Sequence, residues 1–139
     1  MQGAERARKR PSPARGELAV WRSNLPESID EEMLDRIEQA LRDGPLRLMH
    51  PRWPAAARGD ASVAVGVALD NLGPQVRVGA TATDLAMTAI LPHACRGNPA
   101  AVLVLTHALA ALARKDPGGE AHALASRWAA RGARVGLTS

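Results

Sequence analysis

Phenylalanine and tyrosine are absent from the chain, and Trp21, Trp53 and Trp128 are its only aromatic residues. Core volume must therefore come from Val, Leu, Ile, Met and three indoles, and with 28 alanines many interior contacts have to be close ones. A surface that stacks successive unpaired bases needs several rings side by side. Three tryptophans argue against such a platform in this chain. Cysteine is nearly missing as well: the lone Cys95 excludes an internal disulfide framework and every zinc site built on two or more thiolates. A reducing, cytoplasmic setting is the expectation. No apolar run approaches the roughly 20 residues of a membrane helix, and residues 1–16 lack the apolar centre of a secretory signal. Gly66, Gly73 and Gly79 fit neither G-x-G-x-x-G nor G-x-x-x-x-G-K-S/T, so no nucleotide or other cofactor is expected.

What the chain does carry is positive charge. Lysine and arginine number 18 against 14 acids, a formal net charge of +4. Such a balance points to nucleic acid or an acidic surface only where the charge lies on the folded part. Here the whole excess falls in residues 1–16, where Arg6, Arg8, Lys9, Arg10 and Arg15 face the single acid Glu5. Two prolines and low hydrophobicity in the same stretch predict a disordered basic tail, followed by one small globular domain over 17–139. Within that domain, residues 17–45 hold eight acids and three arginines, whereas 46–139 hold ten basic and five acidic groups. The expected arrangement is an acidic helical segment packed on a basic body, with its charges solvated.

Local signals place the elements. Ser28-Ile29-Asp30-Glu31 reads as a capping box that starts a helix at Ile29, with Met33, Leu34, Ile37 and Leu41 on one face and Gly44-Pro45 as the stop. Leu18 and Val20 suggest a short strand or an ordered arm. Residues 45–59, with three prolines and Trp53 between Arg52 and Pro54, predict an extended or turned connection. Val63, Val65, Val67 and Leu69 alternate with Ala or Gly, and Val76, Val78 and Ala80 alternate again after the turn signal Asp70-Asn71-Leu72-Gly73-Pro74, the pattern of a β-hairpin. A helix from Ala61 to Leu72 capped by Asp60 competes with it. Thr83-Asp84 opens a helix that Pro92 should kink or end. Asn98-Pro99 opens a nearly all-apolar one that belongs in the core or in a subunit interface. A last helix shows Ala121, Leu124, Ala125 and Trp128 on one face and should end at Gly132.

Chemistry-bearing strings are few. His93-Ala94-Cys95-Arg96-Gly97 resembles the Q-A-C-R-G segment around the nucleophile of caspase-like cysteine proteases, and His50 lies upstream in the place of a base. The resemblance implies a thiol activated by an imidazole. It covers five residues: the family's glutamine is His93 here, its His-Gly step is His50-Pro51, and 139 residues are too few for its large sheet and flanking helices. A small half-buried thiol in a helix-to-helix turn is the expectation. His93, Cys95 and His107 lack metal-ligand spacing, so no metal site is expected. His107 reads as a hydrogen-bonded core residue and His122 as a surface one. Asp30, Glu31, Glu32, Asp35 and Glu38 form an open acidic face without the desolvation that separates an acid from a base.

These readings converge on a helix-dominated α+β domain, a β-hairpin packed on about four helices centred on Asn98–Arg114, with an all-α fold as the alternative. The expected function is non-catalytic: a small binding or regulatory protein that contacts nucleic acid or an acidic partner through Arg6, Arg8, Lys9, Arg10, Arg15, Arg52 and Trp53. The alternative is an accessory subunit that docks on another chain, or on its own copy in a homo-oligomer or larger complex, through the apolar helix and the arms bearing Trp21 and Trp53. No membrane partner is expected.

Overall fold

The computed structural model describes the backbone of residues 17–44, 47–72 and 81–138, with side chains as far as Ala133. The predicted basic tail and the predicted strand at Val76 and Val78 lie outside the described residues. Two 3-10 turns, Val20–Arg22 and Pro26–Ser28, lead into α1 (Glu31–Asp43), α2 (Trp53–Ala57), α3 (Ala61–Asn71), α4 (Thr81–Cys95), α5 (Pro99–Lys115) and α6 (Ala121–Thr138). There is no strand among the described residues. The α+β expectation is therefore corrected, and the all-α alternative fits.

The correction turns on residues 61–71. Valines at every second position also satisfy a helix when the intervening residues are small: Ala64, Val67 and Ala68 are buried together on one face of α3. The Asp60 carboxylate accepts the Val63 N–H at 3.1 Å and supplies the start. A strand preference spans only about 1 kcal/mol between residues and yields to a capped helix that can pack. A cap also corrects the start of α1. Asp30, not Ser28, caps it, accepting the Met33 N–H at 2.9 Å, while the Ser28 hydroxyl donates to the Leu25 carbonyl inside the preceding turn. Leu34, Ile37 and Leu41 form the buried stripe of α1.

The helix at the centre is α4 rather than α5. Every residue from Thr83 to Pro92 is buried, and α4 packs against α1, α3, α5 and the Val20–Arg22 turn. Its polar residues qualify for the interior because each has a partner. Thr83 accepts from the Asn71 amide at 3.3 Å, Thr88 donates to the Leu18 carbonyl at 3.4 Å, and Asp84 takes three hydrogen bonds from Trp21 and Arg22. α5, expected at the centre, lies outside it, burying Val102, Leu105, Leu109 and Leu112 while Leu103 remains 70% exposed. Asn98 caps α5 through the Ala101 N–H at 3.0 Å, with Pro99 at the first helical position.

Proline does not end α4. The Pro92 ring is buried, and the Arg96 N–H still reaches the Pro92 carbonyl at 3.1 Å. The end comes at Gly97, with φ +95°: its N–H bonds the Ala94 carbonyl and the Asn98 N–H bonds the His93 carbonyl. That is the Schellman arrangement, in which a left-handed residue lets two trailing N–H groups satisfy carbonyls of the last turn. The same arrangement closes α2, where Gly59 at φ +107° bonds Ala56 and Asp60 bonds Ala55. The predicted irregular connection over 45–59 is thereby corrected in its second half: Trp53 and Ala56 anchor a short helix, with Pro54 in its first turn.

α5 and α6 close the fold as an antiparallel pair. A five-residue turn joins them, and at the far end Gly132 lies so close to Val102 that a Cβ there would stand 2.9 Å from the valine Cγ1. Gly132 therefore serves a close helix approach, and α6 continues through it. Leu124, Ala125 and Trp128 face the core as predicted. Among the described residues, no helix is long and apolar enough to cross a membrane.

Candidate functional site

The cations divide by what faces them. The Arg22 guanidinium forms a bidentate pair with Asp84, Nε to Oδ1 at 2.9 Å and Nη2 to Oδ2 at 3.0 Å, and the Trp21 Nε1–H donates to the same Oδ1 at 2.8 Å. With Asp84 only 6% exposed, this is an interior knot tying the arm to α4, and the carboxylate raises the Arg22 pKa above its ordinary value. Arg36 lies 3.4 Å from Glu32 and 3.8 Å from Glu17. Arg96 bridges to Glu38 at 2.8 Å and Glu31 at 3.3 Å, which raises its pKa as well, and Arg127 meets Glu27 at 2.8 Å. Arg131 donates to the Cys95 carbonyl at 2.8 Å and lies over the Trp128 ring at 5.8 Å. The acidic segment thus packs on the basic body and pairs with part of its charge.

Other cations stand open: Arg42, Arg114 and Lys115 are exposed without an ion pair among the described residues, and so is the group around α2. Among the described residues, no carboxylate lies within ion-pair distance of Arg47, Arg52 or Arg58, and all three are exposed. Arg52 precedes α2, with its guanidinium beside Gly66 of α3. Of the residues predicted to bind, Arg52 therefore stands on an open surface. Trp53, next to it, is buried in the core at 3% exposure. Arg6, Arg8, Lys9, Arg10 and Arg15 lie outside the described residues.

The cysteine string is placed by its backbone. His93 to Gly97 form the last turn of α4 and its Schellman end. Burial raises the Cys95 thiol from its ordinary 9.0 to about 11, against the lowering influence of Arg131 and Arg96. A thiol held protonated is a poor nucleophile. Burial also lowers the His93 pKa, with Glu38 opposing it. His50 is engaged elsewhere: its Nδ1 accepts the Arg52 N–H at 3.0 Å, and its Nε2 sits 2.9 Å from Asp70 Oδ2. No three metal-ligating side chains converge among the described residues. His107, predicted to lie in the core, is exposed on α5.

Two features escaped the sequence reading. The Asp84 knot depends on an inward face of α4, and its only local sign is an acid in the first turns of a helix whose following residues are mostly apolar. A cavity of about 410 Å3, where Arg47, His50, Asp70 and Asn71 meet Leu48 and Leu85, brings together three separate stretches of chain. No family model matches the chain, and neither does any curated protein or solved structure.

Proposed function

We propose that this is a small, non-catalytic cytoplasmic protein that binds polyanions, nucleic acid foremost, through its basic tail and the exposed arginines flanking α2. The observation that carries the reading is the division of the cations: α1 and its leading turn neutralise Arg96 and Arg127, while Arg52 and Arg58 face solvent without a carboxylate partner among the described residues. Arginines left in this state make phosphate contacts and release counterions, a contribution that is largely blind to sequence. The raised thiol of Cys95 favours action through surfaces over covalent catalysis.

The test is a fluorescence-anisotropy titration of labelled duplex DNA, single-stranded DNA and RNA with the full chain, the R52A/R58A variant and residues 17–139, across a salt series. Binding that weakens steeply with salt is expected, with the slope reduced by about two in the double variant, one for each lost phosphate contact. Absence of binding at low salt, or affinity indifferent to both changes, defeats the reading. One observation favours a second reading, an accessory subunit or self-associating chain. Leu103 is exposed on α5, and a shallow cleft between α5 and α6 is walled by Ala110, Ala113, Ala125 and Ala129. Trp21 and Trp53 belong to the core in that case too, so Leu103 is the residue to change. A mass above that of the monomer, reduced by L103E, is its signature in light scattering.

A further inference from the structure

The cavity beside α3 is furnished for a ligand of different chemistry from a polyanion. Its volume, about 410 Å3, falls within the roughly 300–1,000 Å3 of small-molecule sites. Leu48, Met49 and Leu85 give it an apolar lining, and Met49 is 99% exposed at its rim. Asp70 stands in the last turn of α3, its side chain 69% exposed at the mouth of the cavity, and the helix dipole there favours a cation beside its carboxylate. His50 does not supply one. With Nδ1 accepting the Arg52 N–H, the ring carries its proton on Nε2 and donates it, uncharged, to Asp70 Oδ2. Asp70 Oδ1 has no donor among the described residues. The Asn71 amide gives an N–H to Thr83, which leaves its carbonyl oxygen to accept. Two acceptors, one of them charged, thus share a cavity with an apolar lining and with Arg47.

We propose that this cavity binds a small apolar amino acid or a close zwitterionic relative. Asp70 and Asn71 accept from its ammonium group, Leu48 and Leu85 hold its side chain, and Arg47 meets its carboxylate. The site is independent of the polyanion surface, because Arg52 and Arg58 do not line it.

Saturation-transfer NMR on the full chain tests this with L-leucine, L-methionine and L-phenylalanine as zwitterions, isopentylamine as the ammonium alone and 4-methylpentanoate as the carboxylate alone. At least one zwitterion should bind more tightly than the amine, and the amine more tightly than the acid. D70N, which keeps the hydrogen bond from His50, should weaken zwitterion and amine alike by about tenfold or more. R47M should lower zwitterion affinity to that of the amine and leave the amine unchanged. D70N should also leave nucleic-acid binding as it was, so failure of this site and failure of the polyanion reading are separately visible. Saturation transfer to none of the probes, equal binding of acid and amine, or undiminished binding by D70N overturns the assignment.

Discussion

Arg58-Gly59-Asp60 and Arg96-Gly97-Asn98 make the same turn at two places in the chain. In each, a glycine at positive φ closes one helix, and the Asp or Asn after it caps the next, through Val63 at the first junction and Ala101 at the second. The backbones agree because short-range chemistry decides them. The arginines part company. Arg96 lies under α1 and is held by Glu31 and Glu38, whereas Arg58 is exposed with no carboxylate partner among the described residues. The same three-residue signal thus yields a strut between elements in one place and an open cation in the other, and the difference comes entirely from what packs nearby.

A buried counterpart sets the scale for both arginines. D84A strands the Arg22 guanidinium and leaves the Trp21 N–H unpaired, and it should cost about 3 kcal/mol in urea denaturation. The glycines come next. G59A and G97A each force a left-handed residue with a Cβ and should lose roughly 1–2 kcal/mol. Similar values would uphold the equivalence of the two turns, and a loss confined to one would break it. The arginines should differ in kind rather than in size. R96A should lower stability by about 1 kcal/mol or less, with an effect that fades as salt is added; R58A should leave stability unchanged and weaken polyanion binding. Replacing Glu31 and Glu38 with glutamine sharpens the contrast, because Arg96 should then contribute to polyanion affinity as Arg58 does. Another effect is confined to high pH. Cys95 in the fold holds its proton more tightly than in the unfolded chain, so it contributes stability below pH 9 that is lost as the pH rises through about 11. Its alkylation rate should keep climbing to that pH, and a plateau near 9 would show an open thiol.

Much of the helical layout was legible. The α5 start at Asn98-Pro99, the inward face of α6 and the stripe of α1 all follow from caps and a period of 3.6, which act within a few residues. Residues 61–71 were misread because alternating valine and small residues satisfy two periods at once, and only the Asp60 cap separates them. The short helix at Trp53 was hidden by its prolines, although Arg58-Gly59-Asp60, set beside Arg96-Gly97-Asn98, carries the sign of a helix end. Arg52 was legible as an exposed cation beside a proline. The burial of Trp53 was not, since an indole next to an arginine reads equally as a contact surface or as an anchor.

By itself the sequence determined the start of α5 at Asn98-Pro99 and the inward faces of α1 and α6, for caps and apolar spacing act through the backbone close to each residue. It also determined that an acidic stretch precedes a basic body. Only the tertiary structure decided that α4 rather than α5 lies at the centre, because the polar groups that α4 buries need partners, and those of Asp84 and Thr88 come from the distant Leu18–Arg22 arm. It likewise decided which arginines are neutralised and which stay open, since a close ion pair needs its charges within about 4 Å and those distances exist only once the elements have packed.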